Sequence, residues 1–336
     1  MVDERRTAWS RVTARLPVRF QRLAGSTWLV QAHARRGAAM RVERLDGSTW
    51  VVQRRGESRR HPRQIGPPRL RTHLLVNERA ARKDMNQLQK RLGDYLAREQ
   101  IAWVLRELGI TCVLDVGANV GQYAKMLRRA GYTGRIVSFE PLPHLVEELR
   151  RESRDDPDWV VMDCALGDED TKAEINVVRG TMSSMLEPSE FGEGWSSRLR
   201  DREDLTETVT IRRLDGLLDE AVAGLDRPRV YLKMDTQGFD LQAFSGAGDR
   251  VDEILGLQSE LSCVPIYDGM PRLPEQLKVY EEKGFEVTGL FPVSRHVQTL
   301  RVIEFDVVMV RPEAVRGAAE ATEAPEPERL DGPGPR

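Results

Sequence analysis

From residue 111 onward the chain alternates short apolar, β-branched runs with amphipathic stretches, and this alternation narrows the fold more than any other feature. Seven runs read as strands: TCVLDV (111–116), GRIVSFE (134–140), DWVVMD (158–163), RVYLKMD (229–235), EILGLQSEL (253–261), FEVTGLF (285–291) and IEFDVVMV (303–310). Between most of them lie helical stretches such as GQYAKMLRRA, HLVEELRRES and LPEQLKVYEEKG. Strands joined by helices imply an α/β domain with a mainly parallel sheet. Ligands of such sheets bind beyond the carboxyl ends of the strands, so function is sought there.

Ahead of this region, Met85, Leu88, Leu92, Leu96, Ile101, Val104, Leu105 and Leu108 recur at spacings of three and four, broken once after Leu96. The spacing predicts an amphipathic helix over 84–108, with a bend at the break, leading into a main domain over 84–312. Residues 1–75 read as a separate Arg-rich module. Within it LAGSTWLVQ (23–31) is echoed by LDGSTWVVQ (45–53), each a Gly-Ser turn feeding a Trp and β-branched residues, which predicts short paired strands. HPRQIGPPRL (61–70) reads as a linker, and the tail over 313–336 as disordered for want of apolar residues.

Charge separates the two parts. Residues 1–100 hold 23 Lys and Arg against 9 Asp and Glu, and the remainder holds 28 against 44. A basic segment can hold RNA or an acidic substrate, or be a solvated face; no aromatic-rich RNA-binding signature accompanies it. The three cysteines, Cys112, Cys164 and Cys263, lack metal-ligand spacing, so reduced thiols and a cytoplasmic protein are expected. The N-terminus has no secretory apolar core and no run of ~18 apolar residues occurs, so membrane insertion is not expected.

Four strand ends carry polar residues in register with one another. The first ends in VLDVGANVGQY, where the turn Gly117-Ala118-Asn119 and then Gly121 let backbone approach a ligand. A dinucleotide site wants a third glycine and no carboxylate beside the pyrophosphate. Asp115 suits instead a ligand with an ammonium group, as in the methionine part of S-adenosylmethionine. The second strand ends at Glu140, nineteen residues after Gly121, where a carboxylate can accept from both hydroxyls of a ribose. The third ends in MDCALGD: Asp163 is a candidate for an adenine amino group, and the small Cys164 and Ala165 would let a flat base lie against the backbone. On the fourth, Lys233 and Asp235 project together to one face of an otherwise apolar strand.

The segments VLDVGANVGQYA, FEPLP, CALGD, VTIRRLDGLL, LKMDTQGFDLQAFSGA and EFDVVMVRP together resemble the FkbM family of S-adenosylmethionine-dependent methyltransferases, over about residues 101–312. The resemblance implies a Rossmann-like class I methyltransferase fold, with a seven-stranded, mainly parallel sheet whose last strand, near 303–310, is antiparallel. It also implies methyl transfer to a hydroxyl of a sugar, polyketide or related small molecule. Many members carry Glu where this chain has Gln237. In that setting Asp235 is the candidate general base, since an alcohol is a poor nucleophile at neutral pH. Lys233 would pair with it and keep it ionised.

Secondary candidates are a polar loop over 179–198 with Phe191 and Trp195, suited to a lid, and Tyr267 and Asp268 after the fifth strand; His296 is an alternative base. Asp235 and Asp240 lack the complement of ligands a metal would need, so no metal is expected. An RNA ribose methyltransferase using the basic module, a nicotinamide-dependent oxidoreductase and a non-catalytic binding protein on the same fold remain as alternatives, and a homo-oligomer is open.

Overall fold

The computed structural model describes residues 85–178, 180–203 and 205–315, preceded by six strands: β1 (Arg19–Ala24), β2 (Thr27–Gln31), β3 (Met40–Arg44), β4 (Thr49–Arg54), β5 (His61–Ile65) and β6 (Thr72–Val76). The disorder expected for the tail falls, from residue 316 on, outside the described residues. Two compact units divide the chain, Met1–Leu88 and Gln89–Arg336.

In the first unit β1–β4 form an antiparallel sheet in the order β1-β2-β4-β3. The echoed segments supply its two inner strands, with Trp28 opposite Val52 and Val30 opposite Trp50. The stretch read as a linker differs from expectation. Its first half is β5, paired with β6 so that Pro62 faces Leu75. A two-stranded ribbon leaves one side of each strand unpaired, and a proline lacking its N–H is tolerated there.

The helix expected over 84–108 is α1 (Met85–Glu107), most of it in the second unit. The break in apolar spacing coincides with a change of surroundings. Ala97, Ile101, Val104 and Leu105 are buried, whereas Met85 and Leu96 are half exposed.

All seven expected runs are the strands of one sheet: β7 (Cys112–Val116), β8 (Arg135–Phe139), β9 (Trp159–Met162), β13 (Val230–Met234), β14 (Ile254–Ser262), β15 (Glu286–Arg295) and β16 (Val302–Val310). Their order is β15-β16-β14-β13-β7-β8-β9. The β14–β13–β7–β8–β9 pairings are parallel, and β16 runs antiparallel to both its neighbours. A side sheet that the sequence pattern did not flag joins β10 (Ala165–Leu166), β11 (Thr171–Asn176) and β12 (Thr206–Arg212). The helices after α1 include α2 (Gln122–Arg129), α3 (Pro143–Ser153), α4 (Glu190–Trp195), α5 (Ser197–Arg200), α6 (Leu218–Ala221), α7 (Asp240–Ser245) and α8 (Leu273–Glu282).

Every residue of β7 and β13 is buried, because both faces of the sheet are covered. On one face Leu114 and Leu232, cross-strand partners, pack with Phe139, Phe244 and Tyr280. On the other, Val113, Tyr231 and Val308 pack with Ile101 and Leu105 of α1 and Leu127 of α2. Fully burying one such side chain stabilises by roughly 1.5–3 kcal/mol. This core fixes β7 against β13, and their register decides what the strand ends present.

Candidate active site

The strand order reverses between β7 and β13, since β8 lies on one side of β7 and β13 on the other. A crevice forms at such a point beyond the carboxyl ends. Here it is an open cleft with Gly117, Asn119, Glu140, Ala165, Asp235 and Gln237 in its lining.

Two glycines hold the β7–α2 turn. Gly117 has φ +73°, and a Cβ there would collide with the Asp235 carbonyl oxygen, so the turns after β7 and β13 approach backbone to backbone. Gly121 has φ +74°, and its Cβ would lie 2.6 Å from the Trp159 ring. Between them Ala118 is buried, and Asn119 takes φ +50° while its side-chain amide donates to the Gly180 carbonyl at 3.0 Å. Glu140 is 4% exposed and accepts from the backbone N–H of Asn119 at 2.8 Å and of Leu142 at 3.0 Å. Burial raises its carboxyl above the usual range, while those two N–H groups pull it back. Phe139, Leu142 and Leu166 supply apolar wall. A cleft with one buried carboxylate, apolar walls and a glycine cradle fits a nucleoside-bearing ligand.

Asp163 does not join the lining. It is exposed, and its carboxylate pairs with Arg150 of α3 at 3.1 Å. The chain leaves β9 there, and the side chain turns toward solvent and the neighbouring helix. Cys164 and Ala165 are buried behind it, and burial pushes the Cys164 thiol up to about 11.

Asp115 also departs from expectation. It has no exposed surface, and Lys233, its partner in the β7–β13 register, places its ammonium 3.0 Å from Oδ1, an ion pair outside hydrogen-bonding alignment. The Ser138 hydroxyl donates to Oδ2 at 3.3 Å, and Trp159 Nε1 donates to Ser138 at 3.0 Å. Asp115 is thus enclosed beneath the turn and not open to a ligand's ammonium group.

Lys233 is 5% exposed, donates to the carbonyls of Val116 and Gly117, and sits 5.3 Å from the centre of the Tyr123 ring. Burial alone would favour loss of its proton. The charges of Asp115 and Asp235 outweigh this and hold the ammonium above its ordinary value. Asp235 lies farther from it, at 3.8 Å, and its side chain is 45% exposed at the edge of the cleft.

Gln237, at φ +55°, donates to Asp235 Oδ1 at 3.1 Å and to Glu260 Oε2 at 3.3 Å. Tyr267 is buried, and its hydroxyl has two acceptors in reach of its one proton, the Met182 carbonyl at 2.9 Å and Gln237 Oε1 at 3.1 Å. Asp268 is exposed and contributes a backbone N–H to the Glu187 carbonyl. The stretch 180–198 lies over this end of the site: Thr181, Ser183 and Met185 line the cleft, Phe191 and Trp195 pack around Ile266 and Tyr267, and Ser184 donates to the Gln237 carbonyl. His296 accompanies Phe191 at a ring distance of 6.0 Å and is absent from the lining.

Asp240 holds the turn itself. It accepts from the Thr236 N–H and hydroxyl, from Ser259 and from the Glu260 N–H. Among the described residues no group of three or more His, Cys, Asp or Glu side chains has the arrangement to hold a metal ion.

Sequence reasoning missed the carboxylates beside Asp235. Glu260 of β14 and Glu304 of β16 are buried, and Asp306, cross-strand partner of Glu260, is half-buried. For Glu304 and Asp306 the signal was present, as acidic residues two apart in an apolar strand, the same pattern that singled out Lys233 and Asp235; Glu260 stands alone in its strand. Burial raises all three carboxyls, and repulsion from neighbouring carboxylates, Asp235 in each case, adds to it; Glu304 and Asp306 each reach about 7. A carboxyl raised on folding contributes stability that is fully present below its unfolded value and is lost as pH rises through about 7. The urea midpoint of the wild type is therefore expected to fall between about pH 5 and pH 8. In Glu304→Gln that fall shrinks; an unchanged fall places the dependence elsewhere.

The strand order, with a cleft at its reversal, is that of the class I methyltransferase fold. Residues 115–286 match the family model of the methyltransferase FkbM domain, and the chain belongs to that family. Its cofactor is S-adenosylmethionine.

No curated protein matches the chain in sequence. Among solved structures it is similar to magnesium protoporphyrin IX methyltransferase from Synechocystis PCC 6803 with bound S-adenosylmethionine, at 12% identity over 67% of this chain and 83% of that one, TM-score 0.37. It is also similar to Aeropyrum pernix fibrillarin in complex with S-adenosyl-L-methionine, at 11% identity over 88% and 98%, TM-score 0.36. An rRNA methylase from Streptococcus thermophilus is similar at 13% identity over 64% and 94%, TM-score 0.33. No helix among the described residues is long and apolar enough to cross a membrane.

Proposed function

We propose that this methyltransferase acts on oxygen, methylating a hydroxyl group of a small molecule such as a sugar or a polyketide. The observation that carries the reading is the Asp235 carboxylate at the cleft edge, accepting from Gln237 and open to an incoming hydroxyl. When bound, S-adenosylmethionine supplies an electrophilic methyl group on a sulfonium, which becomes a neutral thioether as the methyl leaves. Asp235 takes the proton of the acceptor hydroxyl as its oxygen gains the methyl. Gln237 fixes the rotamer of Asp235, and Lys233 lends positive charge from beneath. Glu140 accepts from the ribose hydroxyls with the lone pairs its backbone contacts leave free, and Ala165 with the apolar wall receives the base. An RNA acceptor would bring phosphates toward the Asp235 carboxylate at the cleft edge, which favours a small acceptor without phosphate.

The test is transfer of a carbon-13-labelled methyl group to a panel of hydroxylated glycosides and macrolides, with the product read by NMR. A methoxy carbon supports the reading; an N-methyl or C-methyl product overturns it. Glu140→Ala is expected to weaken S-adenosylhomocysteine binding by about 1–3 kcal/mol in calorimetry, the cost of losing hydrogen bonds to a charged group. Unchanged affinity in that variant removes Glu140 from the ribose role.

A further inference from the structure

A general base has to stay within hydrogen-bond reach of the proton it takes, yet the Asp235 side chain is 45% exposed at the edge of an open cleft. Lys233 is 3.8 Å away and stands closer to Asp115, at 3.0 Å. What holds the carboxylate by a hydrogen bond is Gln237 Nε2, at 3.1 Å from Oδ1. Gln237 is itself a long side chain in the lining of the same cleft, so it can hold Asp235 only if it is fixed in turn.

It is fixed at three points. Its backbone takes φ +55°, a left-handed conformation uncommon outside glycine, and its carbonyl accepts from the Ser184 hydroxyl at 2.7 Å. The second N–H of its amide goes to Glu260 Oε2 at 3.3 Å. Its Oε1 lies 3.1 Å from the Tyr267 hydroxyl.

Tyr267 is a firm anchor. The residue is 1% exposed, and its ring packs among Met182, Leu199, Ile266, Met270 and Ile303. A phenylalanine would suit that apolar cluster; burying a hydroxyl there is costly unless the hydroxyl is paired. The pairing runs in one direction, from the Tyr267 O–H to Gln237 Oε1 and from Gln237 N–H to Asp235. With the amide turned about, Oε1 would face the carboxylate, oxygen to oxygen.

We infer that Tyr267, which is outside the cleft lining, is a positioning residue for methyl transfer: its hydroxyl fixes the Gln237 amide, and the amide holds Asp235 toward the acceptor. The inference rests on the reading of Asp235 as the base. Without the hydroxyl, Oε1 turns to water in the open cleft and Asp235 loses its fixed donor.

Two measurements on the full chain test this. The first needs no acceptor. With nitrogen-15-labelled glutamine and saturating S-adenosylhomocysteine, the Gln237 side-chain amide is identified by its loss in Gln237→Ala. Its protons are expected to exchange with water at least about tenfold faster in Tyr267→Phe than in the wild type, as loss of one hydrogen bond allows. The second uses the panel sugar or macrolide that the wild type methylates fastest. Tyr267→Phe is expected to lower kcat about tenfold with KM within about twofold of wild type, and to have no further effect on kcat when Asp235→Asn is already present, since the two act as one unit. Wild-type affinity for S-adenosylhomocysteine shows that the variant is folded. Unchanged amide exchange, or an equal loss of kcat in the Asp235→Asn background, overturns the inference and leaves the methyltransferase reading intact. A raised KM with kcat unchanged also overturns it, and assigns Tyr267 to holding the stretch 180–198 through the Met182 carbonyl at 2.9 Å. A wild type that methylates nitrogen or carbon and no oxygen sinks the underlying reading instead, whichever way the amide exchanges.

Discussion

Asp235→Asn is expected to lower kcat for methyl transfer by about 10²- to 10⁴-fold, the usual worth of a positioned general base, with S-adenosylhomocysteine affinity nearly unchanged. The substitution keeps the shape of the side chain and an oxygen that can accept from Gln237 Nε2, so the turn after β13 has little reason to move. What it removes is the group that takes the proton. Transfer rates with an accepted glycoside, measured in single turnover, would separate this loss from product release. A reduction smaller than about tenfold would assign most of the acceleration to alignment of acceptor, methyl and sulfur, which can contribute ~7–11 kcal/mol on its own.

The second large effect concerns stability. Lys233→Ala would leave Asp115, with no exposed surface, beside the hydroxyl of Ser138 and no counter-charge. Removing one partner of a buried pair typically costs about 3–5 kcal/mol, because an uncompensated charge remains in a poorly solvated place. The urea midpoint should fall accordingly. Replacing both members by apolar residues of similar volume, Asp115→Leu with Lys233→Met, is expected to recover most of that loss, since desolvation of the pair offsets much of its attraction. A single-variant loss below about 1 kcal/mol would mean that water reaches Asp115 on opening. The double variant should still lose activity, because the positive charge beneath Asp235 goes with the lysine.

Much of the fold was legible because a parallel sheet covered on both faces leaves near-continuous apolar runs. β7 and β13 were therefore found within a residue of their ends. Glu140 and the Gly117 turn were legible for a related reason: strand ends at a reversal of strand order are where such sheets bind ligands, and chain order alone locates them. Asp163 was not, because a residue past its last ladder pair no longer follows the two-residue alternation, and its side chain went to Arg150. Asp115 was misjudged because its partner comes from a strand inserted beside it from much later in the chain. That same insertion explains why Lys233 answers to Asp115 first and to Asp235 second.

The order of strands and helices, the glycine turn after β7 and the carboxylate at the end of β8 were determined by the sequence itself, through periodicity and through backbone conformations open mainly to glycine. Tertiary structure alone decided which charges meet. The registers of β13 on β7 and of β16 on β14 bring together residues far apart in the chain, and electrostatic energy depends on distances of a few ångströms that local sequence does not encode. Those registers bury Asp115, leave Asp235 at the cleft edge and gather Glu260, Glu304 and Asp306 beside it.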